Sequence, residues 1–272
     1  MQLTNSIESI AIGSFDGIHK GHQVLINQVE AVVIIERNCG SITAGYRRSL
    51  YVKQFCFFYH FEKVKKLTAK EFVKRLQKDF PKLKKIVVGY DFAFGYRKEG
   101  DTKLLKELFD GELIVVDEVK ESNTSIHTRT IKEYLTNGEL TIAKKLLGRH
   151  FKIAGKVIKG QGVGKEELVP TLNLKVYDYH LPKSGVYVSK TKIDGAWLNS
   201  VTFLGHRVTT DGLFAIESYV LDRDIGIVTG FIEIEFIAFI RENKKFSGLE
   251  SLREQIQQDI ESVRRFDLLS IN

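Results

Sequence analysis

"GSFDGIHKGH", residues 13–22, overlaps the end of the apolar run "SIAIG" (9–13) and leads into "HQVLINQVEAV" (22–32). The first run reads as a short buried strand. The second places Val24, Leu25, Val29 and Val32 at helical spacing and reads as a helix. A strand, a turn rich in glycine and a helix in that order open an α/β layer structure. The chain continues in the same manner through "AVVII" (31–35), "TAKEFVKRLQKDF" (68–80), "KIVVGYDFAFG" (85–95), "TKLLKELF" (102–109) and "ELIVVDEV" (112–119). Thr68 with Glu71 forms a capping-box pattern at the start of one helix. "TIKEYLTNG" (130–138) and "LTIAKKLLG" (140–148) predict two further helices, each closed by glycine. Alternating strands and helices predict a parallel, Rossmann-like sheet with crossover helices.

The texture changes near residue 150. Six β-like runs follow: "FKIAGKVI", "TLNLKV", "GVYVSKTKI", "LNSVTFLG", "FAIESYVL" and "GFIEIEFIAFI". Their spacing and glycine-rich turns predict a small antiparallel β-barrel. The C-terminal "LESLREQIQQDIESVRRF" predicts an amphipathic helix whose stripe is Leu249, Leu252, Ile256, Ile260, Val263 and Phe266, packed on that barrel. Two domains are therefore expected, 1–150 and 151–272.

Charge divides the same way. Residues 1–150 carry 25 Lys and Arg against 18 Asp and Glu, whereas 151–272 carry 16 of each, so the net +7 belongs to the first part. Such an excess suits a polyanion, ATP or nucleic acid. The lysines of residues 62–85 alternate with apolar residues at helical spacing, which favours a solvated helix face over a nucleic-acid stripe. No apolar run is long enough to span a bilayer, and the first ten residues do not read as a signal peptide. Two cysteines, Cys39 and Cys56, fit free thiols in a reducing cytoplasm.

The turn at 13–22 carries the first candidate chemistry. Gly13 and Gly17 allow close backbone approach. His19 and His22, three residues apart at a helix start, would grip a triphosphate and stabilise charge on phosphate oxygens as a P–O bond breaks. A tight turn with two surface histidines is the plain alternative. Zinc would need a third ligand, and none stands nearby.

A second candidate opens the barrel. "GKVIKGQGVGKEELVPTLNL" (155–174) sets Gly160, Gly162 and Gly164 ahead of "PTLN". The Walker spacing is absent. Thr171 and Asn173 at i and i+2 put a hydroxyl and an amide oxygen on one strand face, a pair suited to Mg²⁺ with nucleotide phosphates completing its shell.

Taken together these motifs resemble bacterial bifunctional riboflavin kinase/FAD synthetases. "GSFDGIHKGH" is similar to that family's G-x-F-D-G-x-H-x-G-H signature, and "VVGYDFAFGYRKEGD" (87–101) to its Asp-Phe-x-Phe-Gly loop. "PTLN" resembles Pro-Thr-Ala-Asn, with Leu172 for alanine, and "FAIESYVLD" (214–222) aligns Glu217 with the family's catalytic glutamate. "IRENKKF" (240–246) resembles a further family stretch and brings in Arg241.

The resemblance implies a fold, two activities and a set of roles. FMN would form from riboflavin and ATP on the barrel, and FAD and pyrophosphate from FMN and ATP on the first domain, both with Mg²⁺. His19 and His22 would contact ATP phosphates in a site built with Gly13, Phe15, Asp16, Gly17, Gly21, Thr128, Arg129 and Lys132. Asp91 and Phe92 would lie by the nucleotide or flavin, and Arg241 near the flavin. Gly160, Gly162 and Gly164 would hold kinase phosphates, Thr171 and Asn173 the metal, and Glu217 would act as general base.

Three segments depart from the family pattern. A Thr-Phe-Asp-Pro-His-Pro-like segment is replaced by "SITAGYRRSLYV" (41–52), Ile-Ser-Ser-Thr-x-Ile-Arg stands as "IHTRTIK" (126–132), and Asn-Ile-Gly-x-Arg-Pro-Thr stands as "FLGHRVT" (203–209), keeping Arg207 and Thr209. The departures at 41–52 and 126–132 leave open a riboflavin kinase without adenylyl transfer. A flavin-responsive nucleic-acid-binding regulator and adenylyl transfer to another acceptor are the remaining alternatives. No membrane partner is expected.

Overall fold

A computed structural model describes residues 3–37, 40–160 and 169–270. The chain divides into two compact units, 1–130 and 131–272.

The first unit is built on five parallel strands: β1 (Ser9–Gly13), β2 (Ala31–Glu36), β3 (Phe55–His60), β4 (Lys85–Gly89) and β5 (Glu112–Val116). Their order is β3-β2-β1-β4-β5. The chain winds outward from β1 to β3, then returns to the other side of β1 with β4. The strand order therefore reverses between β1 and β4, and a cleft at their carboxyl ends is where such sheets bind ligands. The helices are α1 (Lys20–Ile26), the single turn α2 (Phe61–Val64), α3 (Ala69–Asp79) and α4 (Thr102–Leu108), with a small hairpin of β6 (Lys120–Glu121) and β7 (Thr124–Ser125).

Two cores flank the sheet. Ile10, Ile12, Val33, Ile86 and Val88 pack against Phe72, Val73 and Leu76 of α3 on one face. Ala11, Val32, Ile34 and Val87 pack against Leu25 and Ile26 of α1 on the other. Thr68 and Glu71 form the expected capping box on α3. Lys70, Lys74 and Lys78 lie on its exposed face, the solvated arrangement that their spacing favoured.

Two expectations are corrected. α1 ends at Ile26 rather than running to Val32, because Val32 is a central residue of β2 and its place in a helical stripe is fortuitous. The edge strand β3, "FCFFYH", is an element beyond those that periodicity marks, and Cys56 within it is a free, half-buried thiol whose pKa burial raises.

The second unit begins within α5 (Thr128–Asn137) and continues through α6 (Leu140–Leu147). Gly138 and Gly148 close these helices with φ of 81° and 77°. Leu140, Ala143, Leu146 and Leu147 of α6 are buried, and α6 packs on two barrel strands. That contact groups residues 131–150 with the barrel, although the change in texture falls later.

All six expected strands form: β8 (Phe151–Ile158), β9 (Leu172–Lys175), β10 (Gly185–Ile193), β11 (Ala196–His206), β12 (Phe214–Val220) and β13 (Phe231–Glu242). They close as an antiparallel barrel in the order β10-β11-β12-β9-β8-β13.

Side chains alternate across each barrel strand. One face of β10, β11 and β12 turns Ser189, Thr191, Ser200, Thr202 and Ser218 together, all essentially without solvent contact. Their hydroxyls form one chain: Ser189–Thr202 2.7 Å, Ser189–Ser200 2.8 Å, Thr191–Ser200 2.9 Å and Thr191–Ser218 2.6 Å. The opposite face offers Val186, Val188 and Val201, against which α7 (Leu249–Ser270) sets Ile260 and Val263 as buried residues and Ile256 and Phe266 as partly buried ones. Leu249, counted in the helical stripe by spacing, is exposed.

Candidate functional sites

The first cavity lies where the strand order reverses and has a volume of about 720 Å³. The carboxyl ends of all five parallel strands contribute to it: Gly13 at the end of β1, Arg37 after β2, Phe61 after β3, Gly89 at the end of β4 with Tyr90 to Phe92 beyond it, and Asp117 to Val119 after β5. The turn "GSFDGIHKGH" supplies Gly13, Ser14, Phe15, His19, Gly21 and His22.

That turn is tightly determined. Phe15 and Ile18 have φ of 47° and 40° and Gly17 has 92°, left-handed values that are uncommon for non-glycine residues and persist where surroundings enforce them. His19 is the N-cap of α1, and its Nδ1 accepts the His22 backbone N–H at 3.2 Å. The two imidazoles stack at 3.5 Å between centroids, 16° from parallel. The edge of Phe15 meets His22 at 5.2 Å. A Cβ on Gly21 would stand 3.2 Å from the His19 ring and 3.4 Å from the Ile126 carbonyl. Glycine there lets the imidazole lie against the helix.

Asp16 and Gly17 support the turn and are not part of the cavity wall. Asp16 is buried, and its carboxylate accepts the Thr43 N–H at 3.0 Å. Thr128 donates its hydroxyl to the Asp16 carbonyl at 2.9 Å and itself lines the cavity, as does Arg129. Asp91 and Phe92 also line it. Lys132 is not among the lining residues: it lies one turn further along α5, where its carbonyl meets His180 Nε2 at 3.1 Å.

The segment that lacks the Thr-Phe-Asp-Pro-His-Pro pattern is an ordered part of this unit. Residues Gly45–Tyr51 form a 3-10 helix, and Arg48 within it is buried, reaching Ser41 at 3.4 Å and Glu36 at 3.5 Å. Ser41 and Thr43 are buried beside it. Through Thr43 the segment fixes Asp16.

The wall also holds basic residues beyond the motifs: Arg37, Lys65, Arg97 and Lys98 join Arg129, against the carboxylates Asp91, Asp117 and Glu118. Five cations facing three anions favour a polyanionic ligand. Glu118 accepts from Ser125 and Lys120 and is held down to about 2 by those bonds. His127, at the rim, lies 3.3 Å from the Tyr90 hydroxyl and 3.4 Å from Glu118. Arg37 announces itself only weakly in sequence, as a cation one residue beyond a parallel strand.

The second cavity, about 420 Å³, lies on the α7 side of the barrel. Val186, Val201, Phe203, Tyr219, Ile256 and Ile260 supply an apolar wall that coheres as one packed cluster. Gly160, Thr171, Asn173, Arg207 and Glu217 supply a polar group. Asn173 and Glu217 are cross-strand partners on β9 and β12. A Cβ on Gly160 would fall 2.5 Å from the Asn173 amide nitrogen, so glycine there leaves the Asn173 side chain its present place. Thr171 lies just before β9, and Leu172 between the two oxygen donors is buried. Gly162 and Gly164 lie outside the described residues.

Glu217 is about one-fifth exposed and accepts Arg207 Nη1 at 3.0 Å. Burial raises its pKa, and the Arg207 charge opposes that shift. Arg241 lines this cavity, but its guanidinium is a fork on Asp259 of α7, at 2.9 and 2.6 Å. Asp259 is 3% exposed and also accepts Gln255 Nε2 at 3.1 Å. Arg241 therefore anchors the helix that forms one wall. Asp259 carries a signal in sequence: a carboxylate directly beside Ile260, within an apolar stripe.

Among the described residues no helix is long and apolar enough to cross a membrane, and no group of three His, Cys, Asp or Glu is arranged to hold a metal ion.

Comparison with known proteins agrees with this division. The family model of riboflavin kinase matches residues 147–266, and that of FAD synthetase matches residues 2–39 and 46–130. The break in the second match, residues 40–45, overlaps the start of the departing segment 41–52. A bifunctional riboflavin kinase/FMN adenylyltransferase of Listeria monocytogenes is 29% identical over 94% of this chain and 91% of its own length. Those of Haemophilus influenzae and Escherichia coli K12 are 26% and 25% identical, covering 95% and 94% of this chain and 94% and 92% of theirs. A crystal structure described as a macrolide-efflux protein from Streptococcus pneumoniae superposes with a TM-score of 0.81 at 27% identity, over 96% of this chain and 95% of that one.

Proposed function

The chain belongs to the bifunctional riboflavin kinase/FAD synthetase family, and from that premise we propose which residues perform each step. The second unit phosphorylates riboflavin with ATP to FMN, and the first adenylylates FMN with ATP to FAD and pyrophosphate. The observation that carries the assignment is the pair of cavities, each lined by one of the two motif sets and each within its own unit. In domain terms, adenylyl transfer belongs to 1–150 and phosphorylation to 151–272, with α6 serving as structural support for the barrel.

In the kinase cavity the apolar wall takes the flavin ring system and the polar group takes the reacting end. Glu217 accepts the proton of the ribityl 5′-hydroxyl as that oxygen attacks the γ-phosphorus. The new O–P bond forms as the bond to ADP breaks, and the proton passes from Glu217 to solvent. Thr171 and Asn173 present hard oxygens beside Glu217, with Asn173 held in the Gly160 cradle, a donor set that fits Mg²⁺ with phosphate oxygens as further ligands. Bound there, Mg²⁺ would neutralise charge developing on the transferring phosphoryl group.

In the adenylyl-transfer cavity an FMN phosphate oxygen attacks the α-phosphorus of ATP and the bond to pyrophosphate breaks. His19 and His22 stabilise charge on the phosphate oxygens, and Arg129 with Arg37 and the Arg97–Lys98 pair draws in two polyanionic substrates. Asp16, Gly17 and Thr128 fix the turn. Asp91 and Phe92 form the wall beside the nucleotide or flavin. The expected setting is the cytoplasm, with ATP, riboflavin and FMN as small-molecule partners.

Incubation of purified protein with riboflavin, ATP and Mg²⁺, followed by chromatographic separation of flavins, tests the reading. FMN and then FAD are expected. FMN that never becomes FAD would leave a kinase alone. Absence of turnover with steeply salt-dependent nucleic-acid binding would leave a regulator.

A further inference from the structure

The turn between β11 and β12 holds a cation against the kinase base. Arg207 follows the last residue of β11, and its backbone is fixed on both sides. Its N–H donates to the Leu213 carbonyl at 2.9 Å, and its carbonyl accepts from Thr210 and Gly212 at 3.0 Å each. Asp211, four residues on, accepts Arg207 Nε at 3.0 Å and Nη2 at 2.7 Å, and also caps the turn by accepting the Leu213 N–H at 3.0 Å. One edge of the guanidinium is thus filled by a carboxylate. Nη1, on the other edge, donates to Glu217 Oε1 at 3.0 Å. Arg207 and Glu217 are 16% and 22% exposed at their side chains, so the bond is sheltered from exchange with bulk water.

We propose that Arg207 is the positioning residue of the kinase site, oriented by Asp211 and acting only through Glu217. It occupies Oε1, fixes the plane of the carboxylate and leaves Oε2 to take the hydroxyl proton. The proposal rests on the reading of Glu217 as base. The filled Asp211 edge distinguishes this role from a phosphate clamp. A clamp would present its Nε–Nη2 edge bidentately to the nucleotide, and that edge is spent. Nor is the ion pair a solvent-exposed one between mobile side chains, because both partners project from the same closed turn and its adjoining strand.

A double-mutant cycle on the full-length protein tests it, with kcat and KM for FMN formation as readouts. Arg207→Gln should lower kcat about tenfold to a hundredfold, the effect of a modest misplacement of a reacting group, with each KM changed less than about threefold. Arg207→Lys, which keeps charge and length but lacks the fork, should fall between wild type and Arg207→Gln, and it preserves the test if the glutamine variant folds poorly. Asp211→Asn should lower kcat in the same direction by a smaller factor. In a Glu217→Gln background, Arg207→Gln should add less than about a twofold loss, because residues acting as a unit are not additive.

Conversion of supplied FMN to FAD, the reaction of the other unit, should remain at the wild-type rate in every variant. An equal loss with and without Glu217 would overturn the proposal, as would a raised KM for ATP at unchanged kcat. If Glu217→Gln costs at least a hundredfold while Arg207→Gln costs nothing, the proposal fails and the base stands. If Glu217→Gln itself costs nothing, both fall.

Discussion

Asp259→Ala is the most informative perturbation of the helix that walls the kinase cavity. The substitution removes both acceptors of the Arg241 fork and the partner of Gln255. Removing one member of a buried ion pair costs about 3–5 kcal/mol, because the surviving charge stays desolvated. Arg241 retains 20% side-chain exposure and recovers some hydration, so about 2–3 kcal/mol is expected. Trp197, the single tryptophan, lies on β11 with Lys152 Nζ 4.7 Å from its ring centroid. Its fluorescence therefore reports the barrel unit. With a urea m-value of about 2 kcal/mol/M, the midpoint should fall by about 1–1.5 M. Riboflavin affinity should fall as well, because Leu252, Ile256 and Ile260 of α7 form part of the cavity wall. A midpoint shift below about 0.5 M would refute the reasoning. The pair would then contribute no more than an exposed salt bridge, about 0–1 kcal/mol, and α7 would be held by apolar packing alone.

Three further outcomes follow from the sites. His19→Ala or His22→Ala should slow FAD formation by about a hundredfold or more and leave FMN formation intact; unchanged rates in single-turnover assays would return the pair to a capping role. Thr171→Ala and Asn173→Ala should each raise the Mg²⁺ concentration needed for half-maximal FMN formation, and superimposable Mg²⁺ titrations would remove them from the metal site. A fragment of residues 131–272 should fold and phosphorylate riboflavin, whereas 151–272 should be less stable by several kcal/mol. The shorter piece lacks Leu140, Leu146 and Leu147, each buried, and buried leucines contribute about 1.5–3 kcal/mol apiece. Equal thermal unfolding of the two fragments would count against α6 as part of the barrel core.

Local signals made much of this legible. The six barrel strands stand as short β-like runs set apart by glycine-rich turns, and the turn at 13–22 sits between a strand and a helix as its glycines and histidines require. The Thr68–Glu71 box is written in four residues. Features that depend on distant partners were not legible. Asp16 reads as a phosphate-site residue until Thr43, 27 positions away, takes its carboxylate. Arg241 reads as a residue near the flavin and does line the cavity, but nothing local shows that its fork lies on Asp259, 18 positions away. β3 is apolar without strict alternation and follows a segment with no family pattern, so nothing local sets its bounds. Lys132 enters through the family resemblance, but it is not among the residues that line the cavity.

The chain of hydroxyls inside the barrel bears on how the strands find their pairing. Slipping β12 by one residue would turn Ser218 outward and drive Glu217 and Tyr219 into the space that Thr191 and Ser200 now share. A carboxylate would then be buried without its arginine, at a cost of several kcal/mol, while each abandoned hydroxyl would add about 1–3 kcal/mol. The hydroxyl ladder thus favours the register in which Glu217 lies on the outward side of β12 within reach of Arg207.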